Sequence, residues 1–307
     1  MGNRALLFSG QGAQFVGMGR DLAETYPVSR ELFERADEVL GYSLSKTCFE
    51  GPEEALTRSD HCQPAIFVTS MACRAALSSE RPDLEFVACA GLSLGEWTAL
   101  HMAGALSFED TLKVLEARGR FMQEACEEQE GGMVSVIGLP EAKVREIAAA
   151  AGAEVANLNS PEQTVLAGSK TAVAEAERMS NEAGAKRAIV LKVAGAFHSS
   201  LMRSAADRLK PVLEQIEIKA PSLPVAANFT GGRHGGPDDI RRDMLGQITG
   251  SVRWYDCVRW LREQHVETFV ECGPGRVLTG LVKRIDREAG LYNVQDCETL
   301  KKTAQAI

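Results

Sequence analysis

Short apolar runs alternate with longer stretches of helical periodicity along the chain, which is the pattern of an α/β fold. Residues 4–8 read as a strand, followed by a glycine-rich loop over 9–19. Residues 29–40 and 63–78 carry apolar positions at helical spacing. Residues 86–91 form a short apolar run suited to a buried parallel strand.

The middle of the chain is the most legible. Gly131-Gly132 interrupts the pattern, and residues 133–138, 155–158, 164–167 and 188–193 then read as strands. Between them, residues 140–151 read as a helix opened by Pro140, and 171–183 as a helix ended by Gly184. Asn159-Ser160-Pro161-Glu162 has turn chemistry. The order β-α-β-β-α-β is the ferredoxin-like unit. The expected organisation is a small domain at 127–196 inserted into a larger α/β domain made of 1–126 and 197–307. The chain closes with a strand at 268–271, the turn Cys272-Gly273-Pro274-Gly275, and a helix from Arg276.

Bulk properties narrow the function classes. The 307 residues are 45% hydrophobic and 25% charged, ordinary for a globular protein with a sizeable core. The net charge of −8 makes nucleic acid a poor bulk partner, because phosphate contacts need clustered Lys and Arg. The basic spots Lys186-Arg187 and Lys283-Arg284 with Arg287 read as solvated helix ends. No apolar run is long enough to span a bilayer. Ala5-Leu6-Leu7-Phe8 is too short for a signal-peptide core, and Leu6 stands where a myristoylation motif needs Ser or Thr. A cytoplasmic protein without membrane association is therefore expected. The eight cysteines then read as reduced and mostly buried. None forms a CxxC pair or stands at zinc-like spacing from a histidine, so no metal is expected. Asn228-Phe229-Thr230 matches a glycosylation acceptor, an accidental match in a chain that is not exported.

Gly91-Leu92-Ser93-Leu94-Gly95 fits the GxSxG nucleophile elbow. By itself the motif is equally compatible with a buried serine in a tight turn. The strand before Ser93 and the helix after it favour the elbow, because a sharp strand-to-helix turn pushes the hydroxyl out of the sheet. The free N–H groups of a helix N-terminus make Leu94 a ready oxyanion donor. Serine needs a base, and five histidines are available: His61, His101, His198, His234 and His265. His198 follows the last strand of the insertion, where a loop would lie over an interdomain cleft, and is the best placed of the five. Ser107-Phe108-Glu109-Asp110 resembles a capping box, so Arg118 and Arg120 fall on a helix. An arginine there is ordinarily a surface residue; one pointing into the cleft would hold a carboxylate bidentately. Gly10-Gln11-Gly12 lacks the third glycine of a dinucleotide fingerprint, and spacing identifies no acidic partner for His198.

On these residues the chain resembles the malonyl-CoA:acyl carrier protein transacylases and the acyltransferase domains of polyketide synthases. The landmarks run from Phe8-Ser9-Gly10-Gln11-Gly12-Ala13-Gln14 through Gln63-Pro64-Ala65, the Ser93 elbow with Glu96, and Arg118-Gly119. They continue through Asn157, Asn159-Ser160-Pro161, Gly195-Ala196-Phe197-His198-Ser199, Val252-Arg253-Trp254 and Glu271-Cys272-Gly273-Pro274-Gly275. The resemblance implies a hydrolase-like parallel-sheet large domain with a ferredoxin-like insertion. It implies that Ser93 is the nucleophile and His198 the base, oriented by the backbone carbonyl of Gln247 in place of an aspartate. The backbone N–H groups of Gln11 and Leu94 would form the oxyanion hole, and Arg118 would bind the malonyl carboxylate. Gln63, Met122, Asn157 and Phe197 would shape the pocket, with Phe197 leaving no room for a 2-methyl branch.

The activity so implied is transfer of malonyl from malonyl-CoA to the phosphopantetheine thiol of acyl carrier protein, in fatty-acid synthesis. CoA and the carrier would be the partners of a monomer, and no metal or redox cofactor would be needed. Leu92 departs from the family, which commonly has His before the nucleophile. A serine hydrolase and a non-catalytic carrier-binding module are the alternatives. The first lacks an obvious Asp, and the intact Ser93, His198 and Arg118 argue against the second.

Overall fold

The computed structural model describes residues 2–307. Its strands are β1 (Asn3–Phe8), β2 (Ala88–Gly91), β3 (Gly131–Ile137), β4 (Glu154–Ser160), β5 (Gln163–Ser169), β6 (Arg187–Val190), β7 (Val266–Cys272) and β8 (Gly290–Val294). They build two sheets. The first has the order β2-β1-β7-β8 and is parallel throughout. β1 is apolar at consecutive positions because both faces of this sheet are covered. Leu6 and Phe8 point into one hydrophobic cluster, Ala5 and Leu7 into the other. Each fully buried Leu or Phe here contributes about 1.5–3 kcal/mol of transfer free energy.

The second sheet has the order β4-β5-β3-β6 and is antiparallel. This is the strand order of the ferredoxin-like unit, and helices Glu141–Ala151 and Lys170–Glu182 cover one face. Val134, Val136 and Leu166 pack beneath those helices with Val144, Ile147 and Val173. The alternate positions Met133, Val165 and Ala167 face the main core instead. β4 is also stitched to the large domain: Leu158 N–H donates to Val252 O at 2.9 Å, and Val252 N–H to Ala156 O at 2.8 Å.

The structure differs from the pattern in places. Gly131 and Gly132 do not interrupt the order but open β3. A Cβ at Gly131 would lie 2.7 Å from Ala196 Cβ, so glycine serves close packing there. β4 continues through Ser160, which leaves only Pro161 and Glu162 to turn the chain. β6 ends at Val190, and the chain from Leu191 to Ala194 instead walls a cleft. The helix read over 63–78 is longer, Ser59–Glu80, and includes Pro64. β8 escaped the pattern because its residues are half-buried without alternation. Of the basic spots, Lys186 is not at a helix end and pairs with Glu162 at 2.9 Å. Lys283 and Arg284 do occupy the last turn of helix Val277–Ile285. All eight cysteines are free thiols, and seven are buried. Among the described residues, no helix is long and apolar enough to cross a membrane. Nor does any cluster of His, Cys, Asp and Glu among them have the makings of a metal site.

Candidate active site

Ser93 sits in the turn between β2 and helix Leu94–Met102 with φ 55° and ψ −105°, a strained conformation for a non-glycine residue. The two flanking glycines make the turn possible. A Cβ at Gly91 would lie 2.0 Å from the Gly95 carbonyl, and one at Gly95 would lie 2.1 Å from Phe8 O. Asn228 braces the turn from the side. Its Oδ1 accepts from Ser93 N–H at 2.7 Å, and its Nδ2 donates to Gly91 O at 2.9 Å. In the sequence Asn228 stands out only as a glycosylation match; in the fold it is fully buried.

His198 also has positive φ, at 58°, and its Nε2 lies 2.8 Å from Ser93 Oγ. The other ring nitrogen, Nδ1, is 2.7 Å from Gln247 O. A carbonyl only accepts, so Nδ1 carries the hydrogen and Nε2 is left to take the serine proton. Burial, joined by the nearby Arg118 charge, pushes His198 down to about 4 against the opposing bond to Gln247, so the ring is neutral at neutral pH.

Arg118 lies on helix Phe108–Glu128, whose N-cap Ser107 accepts from Asp110 N–H at 3.0 Å. Gly119 lets this helix close on helix Ser59–Glu80; a Cβ there would lie 2.1 Å from Ser59 O. Arg118 is thereby brought alongside Gln63 at 1% exposure. Its Nη1 donates to Gln63 Oε1 at 2.6 Å. Its Nη2 donates to Ser93 Oγ at 3.0 Å and to Gln247 Oε1 at 2.9 Å. Nε has no partner, and among the described residues no carboxylate pairs with this guanidinium. Desolvation pulls its pKa down to about 10, so the group remains a cation, partly supported by Glu96. Arg120, two residues on, faces solvent beside Glu116 and Glu124.

No acceptor among the described residues takes the backbone N–H of Gln11 or of Leu94. Gln11, Leu92, Ser93, Met122, Asn157, Phe197 and His198 line a cavity of about 910 Å³ between the two sheets. Gln63 is not on the cavity wall; it is fully buried behind it, holding Arg118 and reaching Gln11 Oε1 at 3.4 Å. Gln247 contributes more than its carbonyl: its side chain touches Arg118, Ser93 O and Glu96.

The other histidines are elsewhere. His101 bonds Leu106 O at 3.0 Å and packs against Phe67, and His61 stacks near Tyr42. His265 ends the turn before β7. His234 is buried against Glu96, a contact that its glycine-rich surroundings concealed.

A buried serine bonded to a neutral imidazole, beside two free N–H groups and an unpaired cation, has the parts for acyl transfer of an acid-bearing acyl group. The comparisons agree. The acyl transferase domain family matches residues 5–302. A malonyl CoA-acyl carrier protein transacylase of Bacillus subtilis is 39% identical over 312 residues, covering 100% of this chain and 98% of its own. A solved malonyl CoA-acyl carrier protein transacylase of Clostridium perfringens superposes with a TM-score of 0.95 at 37% identity, covering 99% of this chain and 96% of its own. A malonyl-transacylase solved in complex with its type II PKS acyl-carrier protein gives a TM-score of 0.94 at 38% identity, covering 99% and 100%.

Proposed function

As the chain belongs to the acyl transferase domain family, we propose that it moves malonyl from malonyl-CoA to the phosphopantetheine thiol of acyl carrier protein through an ester on Ser93. The observation that carries this reading is Arg118: a buried guanidinium on the nucleophile itself, with no carboxylate paired to it among the described residues. A buried unpaired cation is costly, and a malonyl carboxylate relieves that cost where an acetyl group does not.

The geometry supports a sequence of steps for this transfer. Ser93 Oγ gives its proton to His198 Nε2 and attacks the thioester carbonyl. The N–H groups of Gln11 and Leu94 receive the oxyanion. The imidazolium, steadied by Gln247 O, protonates the departing CoA sulfur. The carrier thiol then gives its proton to His198 and attacks the ester, and Ser93 Oγ recovers a proton as it leaves. The cavity of about 910 Å³ exceeds what a malonyl group fills and leaves room for the pantetheine arm. We further propose that the protein acts in the cytoplasm as a monomer, without metal or redox cofactor, supplying fatty-acid synthesis. The domain boundaries belong to the same reading, with 127–196 as the inserted unit.

The test is intact-protein mass measurement after brief mixing with malonyl-CoA. A malonyl adduct on the wild type, absent from Ser93→Ala and discharged by holo acyl carrier protein, is expected. An adduct that decays equally fast without carrier identifies a hydrolase, and no adduct with any acyl-CoA overturns the enzyme reading.

A further inference from the structure

Behind Ser93, on the side away from the cavity, lies a set of buried charges that no step above uses. Glu96, in the first turn of the helix that follows the elbow, is fully buried. Its Oε1 is 2.6 Å from His234 Nε2, and its Oε2 accepts from Gln247 Nε2 at 2.6 Å. His234 is 3% exposed, and its Nδ1 lies 3.7 Å from Asp243 Oδ2, an ion-pair distance rather than a hydrogen bond. Asp243 precedes Gln247 by one turn on helix Pro237–Thr249, and Arg242 reaches it from solvent at 2.9 Å. The chain Asp243–His234–Glu96–Gln247 therefore ends on both Arg118 Nη2 and Ser93 O.

Glu96, together with Ser93 O, faces the NH₂ end of the Gln247 amide. Both Glu96 oxygens accept, so the amide turns its NH₂ towards Glu96 and Ser93 O. Its oxygen is thereby left for Arg118. The reversed amide would set NH₂ against a guanidinium, donor against donor. We infer that Glu96, braced by His234, is a positioning residue that fixes the Gln247 amide and through it aims Arg118 at the carboxylate of the acyl group. The inference rests on the malonyl reading above. Burial alone would lower the His234 pKa, but Asp243 and Glu96 outweigh it and push the group up to about 9. The resulting imidazolium gives Glu96 the positive partner that burial demands.

The test compares single-turnover charging by malonyl-CoA and by acetyl-CoA in the full-length protein and in Glu96→Gln. The variant's amide has one accepting atom, so it cannot serve His234 and Gln247 as both stand. Malonyl charging is expected to fall about tenfold or more, the scale of one charge-assisted hydrogen bond, while acetyl charging stays within about threefold. Equal losses for both substrates, or no loss, overturn the inference. If Glu96→Gln does not fold, His234→Gln is read in the same assay. It keeps a donor to Glu96 and removes the charge, and a malonyl-selective loss supports the inference where an equal or absent loss overturns it. A wild type that does not prefer malonyl overturns the underlying reading and this inference with it. A selective wild type with an unchanged ratio in the variants overturns the inference alone.

Discussion

Asn228 is the residue on which the shape of the elbow depends, and Asn228→Ala is the perturbation that exposes it. Its side-chain amide makes two bonds to the elbow in a fully buried place, to Ser93 N–H at 2.7 Å and Gly91 O at 2.9 Å. Alanine strips both backbone groups of a partner, and each buried orphan costs about 1–3 kcal/mol. Water entering the vacated space offsets part of this, so the expected loss is about 3 kcal/mol. The same bonds hold Ser93 at its positive φ, a conformation that costs on the order of 1–3 kcal/mol and relaxes when released. Relaxation moves Oγ away from His198, and a misplacement of about 1 Å costs on the order of a hundredfold in rate. The assays are urea denaturation for stability and single-turnover malonyl charging for rate. Asn228→Asp keeps an acceptor for Ser93 N–H but no donor for Gly91 O, so it should fall between wild type and Asn228→Ala. If Asn228→Ala keeps its stability within about 0.5 kcal/mol and charges within about threefold of wild type, the clamp does not hold the elbow and the reasoning fails.

Further outcomes follow from the same geometry. Arg118→Ala should lower malonyl charging by about a hundredfold or more and acetyl charging far less, because only malonyl needs the cation; equal losses in paired single-turnover assays would remove Arg118 from substrate recognition. Since His198 is pushed down to about 4, kcat/KM for charging should stay flat through neutral pH and fall only as pH drops towards that value. A limb near the ordinary histidine pKa of about 6.5 would contradict the buried neutral base. His234, held up at about 9, contributes stability that is complete below the unfolded value of about 6.5 and is lost as pH rises through 9. Urea denaturation from pH 7 to 9.5 should therefore show an alkaline decline in the wild type that is absent in His234→Gln. Gly95→Ala should abolish soluble expression or cost more than about 3 kcal/mol, because its Cβ would lie 2.1 Å from Phe8 O and 2.8 Å from Ser9 O, both backbone atoms; a melting temperature near wild type would refute this.

Much was legible in the chain alone because it is written in local terms. The α/β alternation, the β-α-β-β-α-β order and the GxSxG turn each depend on neighbours in sequence. The apolar run at 86–91 pointed to a buried parallel strand, and β2 is buried at all four positions. What stayed hidden depends on residues far apart in the chain. His198 was one histidine among five until the fold set its Nε2 2.8 Å from an oxygen 105 residues away. The helix pattern did not separate Arg118 from Arg120, which only the family resemblance distinguished, and the packing of helix Phe108–Glu128 against helix Ser59–Glu80 turned the first inward and left the second in solvent. Gln63 looked like a pocket wall and instead holds Arg118 from behind. Asn228 matched only an irrelevant glycosylation motif and His234 none, since a buried amide or imidazole gains its role from the partners the fold brings to it. Local propensity set the elements and the elbow. Burial, which is a property of the whole fold, decided which polar side chains lost water and so had to find one another.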